Sequence, residues 1–183
     1  MEDLIIYQSK YGATREYAEW LGEALKTEPV PAVSLKPEQL VYANRVIIGT
    51  SVYMGRMLMR NWIAHNQGYL RDKDVYLFVV CGTPASEVEK LEKIVKDNIP
   101  AQIRNVFRIF FLPGRVMLDK LSWLDRLLIR IASRAKKRSG AGETLQVGID
   151  YVRKENLATI LGTLDRIPVT PRPRVSAGNP HLM

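Results

Sequence analysis

Residues 75–81, Val-Tyr-Leu-Phe-Val-Val-Cys, form an unbroken apolar run of strand length. A strand with one wet face alternates apolar and polar residues, so an unbroken run implies burial on both faces. Val46-Ile47-Ile48 has the same character. Five strand-like segments recur along the chain: Leu4 to Gln8, a weak Val30 to Ser34, Arg45 to Ser51, Asp74 to Cys81, and Val106 to Leu112. Helical stretches separate them, and strands that alternate with helices pair in parallel through crossover connections. The chain is therefore expected to be α/β, a doubly wound five-stranded parallel sheet in the order 2-1-3-4-5. In that order the ligand crevice lies at the carboxyl ends of strands one and three.

The helices follow from periodicity and capping signals. Ala13 to Lys26 places Tyr17, Ala18, Leu21 and Leu25 on one face, and Met57 to Gln67 does the same with Leu58, Trp62 and Ile63. Ser86 to Lys96 opens with the capping-box arrangement Ser86-Glu-Val-Glu89. Asp150 is placed to cap a last helix carrying Leu157, Ile160, Leu161 and Leu164. With 183 residues, 46% of them apolar, the chain suits one full core. Residues 1–167 are read as that domain, with an insertion at 113–142 and a Pro-rich irregular tail at 168–183.

Three loops are expected to meet at the crevice. Ser9-Lys10-Tyr11-Gly12-Ala13-Thr14 sits at a strand-to-helix junction, where backbone N–H groups and the positive helix end converge on one point. Gly12 lets an anion approach the backbone, and Ser9 and Thr14 add hydroxyl donors. An ordinary turn capped by Thr14 would use the same residues; the second loop favours phosphate. That loop, Thr50-Ser51-Val52-Tyr53-Met54-Gly55, offers hydroxyls, an aromatic face and a thioether suited to a flat ring. In the third, Cys81-Gly82-Thr83-Pro84, backbone amides can meet the polar edge of that ring. The set describes a mononucleotide with an aromatic head.

Several classes of function are excluded or disfavoured. One cysteine allows no internal disulfide, and two histidines, His65 and His181, give no structural zinc set. Cys81 itself is read as a small buried hydrophobe rather than a reactive thiol. No apolar run approaches the roughly 18 residues of a membrane span. The acidic start does not match a signal peptide, so the expected location is the cytoplasm.

The net charge of +8 is concentrated. Arg115 to Arg138 holds eight basic and two acidic residues, a net +6. Met117, Leu121, Leu124, Leu128, Ile131 and Ala135 fall at alternating four- and three-residue steps within it, which predicts a basic amphipathic helix. Such a helix packs on its own domain, pairs with a partner, or lies on an anionic membrane. Each Lys or Arg near anionic lipid contributes about 1 kcal/mol, enough for reversible attachment to the inner face of the cell membrane if the apolar face is free. Nucleic acid is disfavoured, because no recognition motif or aromatic platform accompanies the charge.

Tyr7-Gln-Ser-Lys-Tyr-Gly-Ala-Thr14 resembles the phosphate loop of flavodoxin-like proteins, and Gly49-Thr-Ser-Val-Tyr-Met-Gly55 resembles their first flavin-ring loop. The resemblance extends over residues 2–166 by order of elements and implies the cofactor FMN. Trp123-Leu-Asp-Arg-Leu-Leu-Ile-Arg130 with Ser139-Gly-Ala-Gly-Glu-Thr144 is similar to the late insertion of bacterial flavodoxin-domain protoporphyrinogen oxidases, quinone-dependent enzymes of heme synthesis. That likeness implies electron transfer from a reduced, anionic tetrapyrrole through FMN to a menaquinone-type quinone. Two departures stand out: Ala13 replaces the usual amide side chain, and the third loop lacks the usual stacking aromatic. A flavodoxin-type electron carrier and a flavin-free interaction scaffold are the alternatives, and a homo-oligomer is compatible with each.

Overall fold

The computed structural model describes residues 3–115 and 150–166. The basic helix read from Met117 to Ala135 and the tail at 168–183 lie outside the described residues. Six strands form the sheet: β1 (Asp3–Gln8), β2 (Val30–Pro31), β3 (Arg45–Tyr53), β4 (Arg56–Met57), β5 (Asp74–Cys81) and β6 (Phe107–Pro113). Five are parallel in the order β2-β1-β3-β5-β6, and β4 is a short antiparallel hairpin partner of β3. With that hairpin set aside, the order is the expected 2-1-3-4-5.

Side chains alternate between two cores. Leu4, Ile6, Val46, Ile48, Val75, Leu77 and Val79 face one side. There they meet Leu40 of α2 (Pro37–Tyr42), Ile63 of α3 (Arg60–His65), Leu70 of α4 (Gln67–Leu70), and Leu91 and Ile94 of α5 (Val88–Asn98). Ile5, Ile47, Tyr76, Phe78 and Val80 face the other side. Their partners are Tyr17, Ala18 and Leu21 of α1 (Ala13–Leu25) and Ile160 and Leu164 of α6 (Ala158–Arg166). Burial on both faces is what the unbroken apolar runs required.

The short elements depart from the sequence expectations for local reasons. The weak second strand shrinks to Val30–Pro31 before a 3-10 turn at Ala32–Ser34, because Pro31 carries no N–H for a ladder. The helix expected from Met57 starts only at Arg60. Leu58 N–H is held by the Ser51 carbonyl at 3.0 Å and Met59 N–H by Thr50 Oγ1 at 3.1 Å, so this stretch stays pinned to β3. The capping box at Ser86 does not form; α5 begins at Val88 with Glu87 as N-cap and no side-chain cap. Asp150 does not cap a helix either. It pairs with Arg115 as an antiparallel bridge and accepts the Val152 N–H at 2.9 Å, while α6 begins eight residues later after a 3-10 turn at Lys154–Leu157.

Gly49 of β3 faces Phe78 of β5 in register, and a Cβ there would come within 2.8 Å of Phe78 Cε2. The Phe78 ring is buried, so it can yield only by displacing its core neighbours. Gly49→Ala should therefore destabilise the protein by about 1–3 kcal/mol, the usual penalty of overpacking. Urea unfolding checks this: the midpoint falls with an unchanged slope.

Candidate functional site

The parallel register brings three loops to one edge of the sheet. Gln8, at the end of β1, pairs with Thr50; Ser51 pairs with Val80, next to Cys81 at the end of β5. All three predicted loops thus leave the sheet on the same side.

The first loop is a cradle at the start of α1. Gly12 is the N-cap in the left-handed region, with φ 91°, and a Cβ at this position would meet nothing within 4 Å. The N–H groups of Ala13, Thr14 and Arg15 occupy the first turn, where helix geometry supplies no acceptor. Ser9 Oγ accepts the Gly12 N–H at 3.0 Å, which leaves the Ser9 hydroxyl hydrogen to donate elsewhere. Thr14 is wholly buried, yet its Oγ1 has no hydrogen-bond partner. A buried hydroxyl without a partner is costly, about 1–3 kcal/mol, and its position in the first helical turn suits an anion as the partner.

The second loop is a tight hairpin closed by β3 and β4. Tyr53 pairs with Arg56, and the two central residues, Met54 and Gly55, have φ 50° and 76°. Two-residue hairpins favour positive φ at both positions. Met54 is well exposed at the tip, whereas Val52 is half-buried opposite Met57. The Thr50 hydroxyl is buried and engaged, accepting from Met59 N–H and donating to the Ser51 carbonyl at 3.3 Å. Ser51 Oγ is the opposite case, buried without a hydrogen-bond partner.

Lys10 joins the first loop to the second. Its Nζ lies 3.4 Å from the centroid of the Tyr53 ring and 5.1 Å from that of Tyr11, a cation–π arrangement spanning both loops. The third loop is more open. Gly82, Pro84 and Ala85 are exposed, and a Cβ on Gly82 would meet nothing within 4 Å. Cys81 is buried, its Sγ 3.9 Å from the Thr83 carbonyl; burial pushes its thiol up and the Thr83 contacts act the other way. A protonated thiol is a poor nucleophile, in keeping with the reading of Cys81 as a buried hydrophobe.

The donor set suits a mononucleotide phosphate: the orphaned Thr14 hydroxyl, the first-turn N–H groups and the open glycine all lie at the amino end of α1. Residues 4–141 match the flavodoxin domain family. The chain belongs to this family. FMN is the cofactor that membership implies, and a redox flavoprotein is the broad function. Among solved structures, the chain is similar to a flavodoxin from the domain Archaea, at 18% identity and a TM-score of 0.46, covering 74% of this chain and 99% of that one. A WrbA-like flavodoxin from Agrobacterium tumefaciens matches at 18% identity and a TM-score of 0.40, covering 74% and 97%. Smu.1420 from Streptococcus mutans matches at 13% identity and a TM-score of 0.46, covering 75% and 100%. No curated protein sequence gives a match. Among the described residues there is no cluster of metal-ligating side chains, and no helix is long and apolar enough to cross a membrane.

Asn98 was not singled out by its sequence, yet it holds the second loop in place. Its Oδ1 accepts the Met57 N–H at 2.9 Å, and its Nδ2 donates to the Gly55 carbonyl and to the Ile94 carbonyl, both at 2.8 Å. The available signal was its phase: a polar residue on the stripe of Leu91 and Ile94, where an apolar one is expected. Asn98→Ala would leave two loop groups unsatisfied near the core. It should destabilise the fold by about 2–4 kcal/mol, measured by urea unfolding, and loosen the hairpin at Tyr53.

Proposed function

We propose that the chain is an FMN-dependent oxidoreductase of the protoporphyrinogen oxidase type, passing electrons from a reduced tetrapyrrole to a quinone. Ser9, Lys10, Tyr11, Gly12, Ala13 and Thr14 would hold the FMN phosphate. Ser51, Tyr53, Met54, Gly82 and Thr83 would bracket the ring, with Thr50, Val52, Gly55, Cys81 and Pro84 shaping the loops around it. When bound, FMN accepts two electrons from one reactant and returns them to another. The chain's own contribution is to bind, to orient and to present one face of the ring.

The observation that carries the flavin half of this reading is the buried, partnerless Thr14 Oγ1 at the start of α1. Support for the substrate half comes from the insertion. Trp123 to Arg130 and Ser139 to Thr144 resemble that enzyme type, and the net +6 of Arg115 to Arg138 complements anionic propionates or an anionic membrane surface. The family match equally favours a second reading, a flavodoxin-type electron carrier with no substrate of its own.

The purified protein should be yellow, with a flavin absorption spectrum. Thr14→Val should weaken FMN binding about tenfold or more while leaving the flavin-free protein as stable or more stable, since it removes a hydroxyl that lacks a partner. Fluorescence quenching and urea unfolding read the two effects. Anaerobic reoxidation of the reduced protein by menaquinone, with protoporphyrinogen turnover, supports the enzyme; reoxidation without turnover moves the assignment to a carrier.

Membrane contact has a separate test. Replacing Arg126, Arg130 and Arg134 together by Glu should abolish co-sedimentation with anionic vesicles. Unchanged binding would remove the membrane role from that segment.

A further inference from the structure

Arg115 follows β6 and is mostly buried beside the first turn of α1. Its guanidinium pairs with Glu16 of that turn, and its Nε lies 3.4 Å from the Asp150 carboxylate. Arg115 and Asp150 are also backbone neighbours in an antiparallel bridge, and Tyr151 N–H reaches the Gly114 carbonyl at 3.4 Å. The chain leaving the sheet at residue 115 and the chain returning at residue 150 are therefore fastened together against α1. Tyr17 completes the fastening: its hydroxyl donates to the Pro113 carbonyl at 3.0 Å and accepts from Asn156 Nδ2 at 2.7 Å.

Glu16 poses an electrostatic problem for the cradle next to it. A carboxylate in the first turn of a helix is itself stabilised by the helix dipole, so it competes with a bound phosphate for the same positive end. Its side chain also leans back toward the amino terminus, the direction of the cradle. Of the other charges nearby on α1, Arg15 is paired with Glu19 at 2.7 Å and exposed, so it does little to offset Glu16.

We propose that Arg115 is a positioning residue for the cofactor phosphate: by neutralising Glu16 it keeps the amino end of α1 free for that anion. This rests on the reading of residues 9–14 as the phosphate site.

A structural role and a shielding role make opposite predictions for Glu16→Gln. If the ion pair only braces the fold, losing it leaves FMN binding unchanged or weaker. If Arg115 shields the phosphate, Glu16→Gln leaves the guanidinium with Asp150 as its one remaining carboxylate partner among the described residues and removes the competing charge from the helix end, so FMN should bind about two- to fivefold tighter at low salt. The gain should shrink as salt rises and be absent with riboflavin, which has no phosphate. Arg115→Met should weaken FMN binding without weakening riboflavin binding, and Arg115→Met combined with Glu16→Gln should recover it. Flavin fluorescence quenching measures all of these on the full chain. Wild-type protein that quenches neither flavin overturns the flavin site and this proposal with it. Wild-type protein that binds FMN, with Glu16→Gln equal to it or weaker, overturns the role of Arg115 alone.

Discussion

Two-sided burial of β3 and β5 is the constraint on which everything else in this protein depends. Val46, Ile48, Val75, Leu77 and Val79 fill one core while Ile47, Tyr76, Phe78 and Val80 fill the other, so neither strand has a face for solvent. Parallel pairing follows, because only crossover helices can cover both faces of such a sheet. The crossovers in turn send every βα loop to the carboxyl edge. Gly49 opposite Phe78 shows how tightly this is drawn: the strand spacing leaves room for one ring and no Cβ.

Two hydroxyls at that edge are left unmatched. Thr14 Oγ1 and Ser51 Oγ are buried without partners, while neighbouring Thr50 spends its hydroxyl on holding Met59. The contrast separates residues that build the loops from residues whose hydrogen-bonding capacity awaits something else. Asn98 and Lys10 do related work at a distance, one fixing the hairpin from behind and the other bridging the first two loops across an aromatic face.

The elements most legible in the sequence were those whose pattern is long and whose cause is local. Asp74 to Cys81 matches β5 residue for residue, and Ala13 opens α1 where the glycine turn placed it. The three loops of the candidate site were located because each begins at the carboxyl end of a legible strand. The misread pieces were decided by hydrogen bonds and ion pairs that neither periodicity nor capping rules encode. Met57 to Met59 carries helical periodicity, but Ser51 and Thr50 hold the amides of Leu58 and Met59 to β3. Asp150 has the chemistry of a helix cap, but Arg115 claims it from just beyond β6. The capping box at Ser86 lost to a turn in which Glu87 N–H meets the Pro84 carbonyl at 3.0 Å.

Hydrophobic periodicity by itself determined the strands and their two-sided burial, because burial of apolar surface dominates the folding energy and is written in residue spacing, while the strand order and the ligand edge came from the doubly wound pattern that such an alternation suits. The sequence also marked a candidate anion turn, where a glycine and hydroxyl residues sit at a strand-to-helix junction. Only the tertiary structure decided which hydroxyls are spent and which are spare. It alone paired Arg115 with Glu16 and set Lys10 over Tyr53. Hydrogen bonds and ion pairs join groups far apart in sequence, and their strength depends on distance and burial, which no spacing rule encodes.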